Sequence, residues 1–129
     1  MQIVAKSSVR VAPRKVRIVA DSIRKLSLDQ ALSFLAVADR RGASVLEKTL
    51  KSAISNAVNN NKLKQEDLSF KSIDVLEAAA YKRYHPSTRG RIHPYKRRGS
   101  HIKIVLQADV KEQVQKALPK KGEKDGTKS

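Results

Sequence analysis

The fold of this chain depends on residues 73–107, which read IDVLEAAAYKRYHPSTRGRIHPYKRRGSHIKIVLQ. Alternating aliphatic residues at the two ends predict two β-strands, and these residues are Ile73, Val75, Ile102, Ile104 and Leu106. The 26 residues between the two ends are nearly free of aliphatic side chains and are too many for a structureless loop in a compact domain. We predict a hairpin extension over about residues 76–101, with a reach of about 35 Å at roughly 3.3 Å per residue.

The predicted hairpin has the composition of a segment that binds nucleic acid. From Ala78 to Gln107 there is no Asp or Glu, but there are eight Lys or Arg and all three histidines and tyrosines of the chain. Lysine and arginine neutralise phosphates, and aromatic rings stack on unpaired bases. The alternative is a solvated, disordered cationic loop. Tyr81 and Tyr84 fit base stacking and ordinary cross-strand pairing equally well.

Charge is unevenly distributed along the 129 residues. The net charge is +16, of which residues 1–25 contribute +6 and residues 78–108 contribute +8, while residues 26–77 are neutral. This distribution predicts a neutral packed body that displays two cationic surfaces.

The N-terminal segment predicts a strand followed by a basic helix. Apolar and small residues alternate from Ile3 to Val11, and Pro13 suits the first turn of a helix. Arg14, Lys15 and Arg17 follow that helix start, where free backbone N–H groups add to the side-chain charge. This cluster has two interpretations, phosphate contact or a solvated helix flank.

Three amphipathic helices are predicted before the hairpin. Ser27 and Gln30 form a capping box at the start of the second helix. The third is expected from about Arg40 to Val58, with the run Asn59–Asn61 ending it and Glu47 paired with Lys51 on its outside. The apolar stripes are Val16, Val19, Ala20 and Ile23 on the first helix, Leu28, Ala31, Leu32, Leu35 and Ala36 on the second, and Ala43, Leu46, Leu50, Ala53, Ile54 and Ala57 on the third.

A change of phase between Phe70 and Ile73 predicts a β-bulge near Ser72. We therefore predict an α+β fold, with three helices packed on a small antiparallel sheet and a long protruding β-hairpin. A single domain is expected over residues 1–108. Residues 109–129 are expected to form a C-terminal extension, a short helix followed by a disordered tail.

Several classes of protein are disfavoured. The chain has no cysteine, no run near the roughly 20 apolar residues that span a bilayer, and no catalytic motif, so we expect a soluble, intracellular non-enzyme without cofactor or metal. His85, His93 and His101 recur every eight residues, but no carboxylate is near enough to complete a metal site.

RNA is favoured over DNA because no helix-turn-helix, zinc finger or basic zipper is present. A dimeric DNA-bending protein is the runner-up.

The chain resembles a known family, the bacterial-type large-subunit ribosomal proteins uL22. The resemblance covers about residues 2–107 and rests on the order and spacing of several blocks. These are Ala12-Pro-Arg-Lys-Val-Arg-Ile-Val-Ala-Asp21, Leu50-Lys-Ser-Ala-Ile-Ser-Asn-Ala57, Tyr81-Lys-Arg83, Arg89-Gly-Arg91, Lys96-Arg97-Arg98 and Ser100-His101-Ile102.

The resemblance implies a structural constituent of the large ribosomal subunit that supports assembly. Its hairpin would thread through large-subunit rRNA to line the nascent-peptide exit tunnel. The RNA-binding residues expected from the composition and the resemblance together are Arg10, Arg14, Lys15, Arg17, Lys82, Arg83, Arg89, Arg91, Lys96, Arg97, Arg98 and His101. The tunnel-facing residues implied are Tyr81, Lys82, Arg83, Ser87, Thr88, Arg89, Gly90 and Arg91, with Tyr81 in place of the family's usual aliphatic or Met side chain.

The partners implied are several domains of large-subunit rRNA, neighbouring large-subunit ribosomal proteins and the nascent peptide. No membrane partner is expected, and the protein would be a monomer within a cytoplasmic ribosome, although an organellar ribosome fits equally. Many family members end soon after the last strand. The extension at residues 109–129 is therefore a departure, read either as a solvated tail or as a further contact to rRNA or protein.

Overall fold

Three strands form one antiparallel sheet in the computed structural model, which describes residues 1–108. They are β1 (Gln2–Val9), β2 (Leu68–Pro86) and β3 (Ile92–Ala108), in the order β1-β3-β2. Three helices, α1 (Pro13–Ile23), α2 (Leu28–Val37) and α3 (Arg41–Asn61), connect β1 to β2. The predicted α+β class is confirmed. The predicted extension at 109–129 lies outside the described residues, and the domain division there stays a prediction.

The helices and the inner face of the sheet share one core. The predicted stripes of α1 and α3 are buried throughout, because each repeats at the 3.6-residue period of a helix. On α2 the stripe is narrower than predicted, since Leu32 is half-buried and Ala36 is exposed. The largest fully buried side chains are Ile23, Leu35, Leu46, Leu50, Ile73, Ile102, Ile104 and Leu106.

Local signals place the helix ends with one exception. The capping box of Ser27 and Gln30 is present at the start of α2. The prediction that Asn59–Asn61 ends α3 is wrong, because these residues form its last turn. The helix continues to Asn61 and is capped by Lys62, whose φ of 53° places it in the left-handed region that usually takes glycine.

β2 is an edge strand, and α1 covers its open side. Arg17 donates from Nε and Nη2 to the carbonyl oxygen of Val75 at 3.2 and 3.1 Å. Arg24 Nη2 donates to the carbonyl oxygen of Ile73 at 2.9 Å. An uncovered edge of this kind is a template for pairing with another chain. The two arginines therefore satisfy two carbonyl oxygens on the open edge of β2 and hold α1 against that edge.

The hairpin prediction is supported by antiparallel pairing between β2 and β3 that extends from Leu68–Ala108 to Pro86–Ile92. β1 stops pairing at Val9–Ser100, so residues 78–99 continue outward as a two-stranded ribbon, here called the hairpin ribbon. Each arm has about nine residues, a reach of about 30 Å at roughly 3.3 Å per residue. The reach is slightly shorter than predicted because the three-stranded sheet extends further along the chain.

Candidate nucleic-acid interface

The hairpin ribbon separates its side chains into two faces, because directly opposed residues of an antiparallel pair share a face. One face is aromatic and cationic, and its pairs are Tyr81–Arg97, Arg83–Tyr95 and His85–His93. The other face carries the pairs Lys82–Lys96, Tyr84–Pro94 and Pro86–Ile92. Every residue from Tyr81 to Arg98 is exposed except the half-buried Tyr95. The ribbon has no core of its own and presents both faces to a partner.

Like charges face each other on the ribbon. Lys82 and Lys96 are direct cross-strand neighbours, an arrangement that destabilises an isolated hairpin. Within the described residues, the only ion pair of a hairpin cation joins Arg98 to Glu77, with Nη1 and Oε2 3.9 Å apart and both side chains mostly exposed. An exposed pair of that length contributes little. The repulsion would be offset by an external polyanion.

A second register shift between Ala78 and Tyr81 sits at the base of the ribbon. The sequence signalled only the bulge near Ser72, which the shift between Phe70 and Ser72 confirms. At Ala78–Tyr81 there is no aliphatic alternation to reveal a change of phase. Bulges bend a strand and re-aim its side chains.

Beside this second bulge a cleft of about 290 Å³ opens, which we call the Tyr81 cleft. Its lining residues are Arg10, Tyr81, Arg83, Tyr95, Arg97 and Arg98. The guanidinium carbon of Arg10 lies 5.2 Å from the centroid of the Tyr81 ring, and that of Arg83 lies 5.9 Å from it. Both distances are within cation–π range. Arg10, from the end of β1, is thereby brought to a site made by residues more than 70 positions away.

Close backbone packing holds β1 and the ribbon together at this cleft. A Cβ atom at Gly99 would lie 3.0 Å from the carbonyl oxygen of Val9, so the strands approach closely only because this residue is glycine. Next to it, the hydroxyl of the buried Ser100 donates to the carbonyl oxygen of Val11 at 2.9 Å. These contacts fix where Arg10 stands relative to Tyr81.

The tip of the hairpin is a tight five-residue loop. The Ser87 N–H donates to the carbonyl oxygen of Arg91 at 2.7 Å, and the Arg91 N–H donates to that of Thr88 at 3.3 Å. Arg89 and Gly90 both take positive φ, 57° and 68°. A non-glycine residue in this region is strained by roughly 1 kcal/mol. The loop presents Arg89 and Arg91 at the far end of the ribbon, where both are exposed.

The predicted cluster on α1 divides between two roles. Arg14 and Lys15 are exposed, while Arg17 holds the β2 edge. Lys15 also lines a second cleft, of about 250 Å³, with Ile18, Gly42 and two arginines that the sequence analysis did not single out, Arg40 and Arg41. They were overlooked because acidic residues balance their charge in the sum over residues 26–77. The available signal was two adjacent arginines at the start of a helix that has no acidic residue in its first turn.

The histidines are distributed over separate parts of the structure. His85 stacks on Tyr95 with ring centroids 4.4 Å apart and an interplanar angle of 13°. His93 opposes His85, and His101 lies on the three-stranded sheet opposite Leu76. In residues 1–108 there is no group of three His, Cys, Asp or Glu side chains that would hold a metal ion. None of the helices in this part of the chain is both long and apolar enough to cross a bilayer.

Comparison with known proteins identifies the family. The family model described as ribosomal protein L22p/L17e matches residues 4–107, which include β1, all three helices and the hairpin. The chain belongs to this family.

Curated relatives of this family member are named large ribosomal subunit protein uL22. The one from Thermus thermophilus is 45% identical over 98 residues, covering 76% of this chain and 87% of the relative. The one from Pediococcus pentosaceus is 42% identical over 99 residues, or 77% and 84% of the two chains. The one from Oceanobacillus iheyensis is 43% identical over 103 residues, or 80% and 90%. The similarity therefore extends over most of both chains.

Proposed function

We propose that this protein is a structural constituent of the large ribosomal subunit that binds large-subunit rRNA through its hairpin ribbon and supports subunit assembly. The observation that carries the proposal is a ribbon that projects about 30 Å at roughly 3.3 Å per residue, with no acidic residue from Ala78 to Gln107. Lysine and arginine on both faces would neutralise phosphates where rRNA segments converge, and counterion release would drive association.

Two groups of residues would bind rRNA. On the ribbon and its base they are Arg10, Lys82, Arg83, Arg89, Arg91, Lys96, Arg97, Arg98 and His101. On α1 they are Arg14, Lys15 and the donors of Arg17 that are not bonded to Val75. Arg40 and Arg41 join this second group because they share a cleft with Lys15. A neutral body with basic surfaces at two places would bridge separate rRNA domains.

The exit tunnel is the proposed destination of the ribbon's far part. The tip residues Ser87, Thr88, Arg89, Gly90 and Arg91 lie farthest from the body and would reach the tunnel wall and the nascent peptide. Tyr81, Lys82 and Arg83 lie midway along the β2 arm of the ribbon, between Ala78 at its base and Pro86 beside the tip. These three would contact rRNA on the arm, near the narrowest part of the tunnel.

The role proposed is architectural, without an enzymatic activity or a cofactor. The remaining partners would be neighbouring large-subunit ribosomal proteins, and the chain would be a monomer within a cytoplasmic ribosome. Relatives named uL22 from three bacteria support the bacterial-type assignment.

The proposal is tested by sedimenting a lysate in high salt and by measuring binding to large-subunit rRNA. We expect the protein to migrate with the large subunit. A variant carrying Arg83→Gln, Arg97→Gln and Arg98→Gln should bind rRNA at least tenfold more weakly. The slope of log K against log[salt] should fall by about 0.7–0.9 for each phosphate that the variant no longer neutralises.

The matched control removes three charges from the body, with Lys48→Gln, Lys51→Gln and Lys64→Gln. These side chains are exposed and lie outside both basic clefts. Equally weakened binding in the two triple variants would mean that only net charge matters. Recovery of the protein at the top of the gradient, or as a dimer that protects duplex DNA, would contradict the proposal.

A further inference from the structure

The Tyr81 cleft combines an available aromatic ring with converging cations. Of its two tyrosines, Tyr95 is half-buried and already stacked on His85. Tyr81 is 47% exposed, and within residues 1–108 no second aromatic ring stacks on it. Its neighbours are the guanidinium groups of Arg10 and Arg83. A flat ligand can therefore reach the Tyr81 ring by displacing one guanidinium group.

The charge in the cleft favours binding of an anion. The guanidinium carbons of Arg10 and Arg83 both lie within 6 Å of one ring centroid, so they are less than 12 Å apart. That separation is close to the Debye length of about 8–10 Å at moderate salt, so their repulsion is only partly screened. Arg97 and Arg98 line the same cleft, and Glu77 reaches only Arg98. A phosphate placed among these groups would offset the repulsion.

The size and chemistry of the cleft fit one nucleotide. Its volume of about 290 Å³ lies at the lower end of the range for small-molecule sites. A paired base has both faces covered by its neighbours in the helix, so only an unpaired base can offer a face to Tyr81. Tyr84 is even more exposed, at 68%, but it lies on the opposite face of the ribbon from Tyr81 and outside the cleft.

We propose that the Tyr81 cleft binds a single unpaired nucleotide of the RNA, with its base stacked on Tyr81 and its phosphate among the arginines. This inference rests on the proposed RNA-binding function and assigns base recognition to one tyrosine. The two alternative roles left open for the hairpin tyrosines are thereby separated. Tyr81 stacks on a base, whereas Tyr84 is a cross-strand neighbour of Pro94 on the other face.

The test compares two fluorescein-labelled single-stranded RNA ligands of eight nucleotides, octauridylate and a fully abasic strand with the same phosphates. Dissociation constants are measured by anisotropy with the full-length protein. The wild type should bind octauridylate about tenfold more tightly than the abasic strand, because stacking on an aromatic ring adds to the phosphate contacts. Tyr81→Leu should remove this preference, and Tyr81→Phe should retain it.

Tyr84→Leu is the matched control, since it removes an exposed tyrosine from the same arm and should leave the preference intact. Circular dichroism of each variant verifies folding. Equal binding of the two strands by the wild type, or disappearance of the preference in Tyr84→Leu instead of Tyr81→Leu, would overturn the inference. Either result with intact binding to large-subunit rRNA would leave the proposed function standing. Absence of rRNA binding by the wild type would refute the proposed function itself.

Discussion

Arg17 shows how a single charged residue can serve the fold and not only a ligand. From the sequence, Arg17 shares two possible roles with Arg14 and Lys15, phosphate contact or a solvated helix flank, because all three follow a helix start. The structure places two of its N–H groups on the Val75 carbonyl oxygen, at 3.2 and 3.1 Å. The bonded residues are 58 positions apart, so no local pattern could have revealed the contact.

Arg17→Met is expected to lower the free energy of unfolding by about 1 kcal/mol. Methionine keeps the packing of the aliphatic stem but leaves the edge carbonyl to water. A hydrogen bond to a charged group contributes about 1.5–3 kcal/mol net, and the loss here is smaller because Arg17 is exposed. Urea denaturation measures the change. Arg14→Met is the control, because Arg14 is exposed and makes no side-chain hydrogen bond within residues 1–108. Equal destabilisation by both variants would contradict a structural role for Arg17.

At the scale of elements, the hairpin ribbon has little stability of its own. Its arms are held by backbone pairing, while Lys82 faces Lys96 and no buried side chain lies between Tyr81 and Arg98. Each arm also contains a proline, Pro86 or Pro94, which is tolerated because both strands of an isolated ribbon have a free edge. These prolines also oppose unwanted pairing with another strand.

Lys96→Glu is expected to stabilise the free ribbon and to weaken RNA binding. The change replaces a like-charged cross-strand pair with an opposite-charged one, worth about 0.2–1 kcal/mol. Amide exchange should therefore slow at the neighbouring pair Arg83 and Tyr95, whose N–H groups point across the ribbon. Affinity for large-subunit rRNA should fall because a phosphate contact becomes a repulsion. Lys96→Gln serves as the control and should show a smaller effect on both measurements. Faster amide exchange in Lys96→Glu than in the wild type would refute this account.

For the whole molecule, the body and the ribbon carry separate tasks. The buried side chains lie in the helices, in β1 and in the parts of β2 and β3 nearest the body. Four arginines converge at the Tyr81 cleft, which lies between the body and the middle of the ribbon. The body therefore supplies stability, and the ribbon supplies the proposed RNA-binding surface.

Replacing residues 79–98 with Asn-Gly should leave the body folded while removing most of the rRNA affinity. Ala78 and Gly99 are already a cross-strand pair, and Asn-Gly forms the two-residue turn that suits such a pair. We expect the free energy of unfolding to change by no more than about 1 kcal/mol, since the deleted residues are nearly all exposed. Thermal unfolding and rRNA binding measure the two effects. A large drop in stability would mean that the ribbon is part of the folding unit.

The sequence by itself determined the elements that repeat with a regular period. The stripes of α1 and α3, the capping box of α2 and the bulge near Ser72 all follow from apolar spacing or local side-chain bonds. The hairpin was predicted from the two flanking strand patterns and from the length of the segment between them, with a disordered loop as the alternative that the structure excludes. Residues 81–98 showed their charge but not their geometry, since they contain no apolar alternation that reports register or phase.

The tertiary structure alone decided which residues meet. It brought Arg10 to Tyr81, gave Arg17 to the edge of β2, placed Arg40 and Arg41 beside Lys15, and extended α3 to Asn61. Each of the first three depends on contacts between distant parts of the chain, which local propensity does not encode. The Tyr81 cleft depends on two such features. The bulge between Ala78 and Tyr81, which no apolar pattern in the sequence indicates, bends the ribbon, and Gly99 lets the end of β1 approach at the same place.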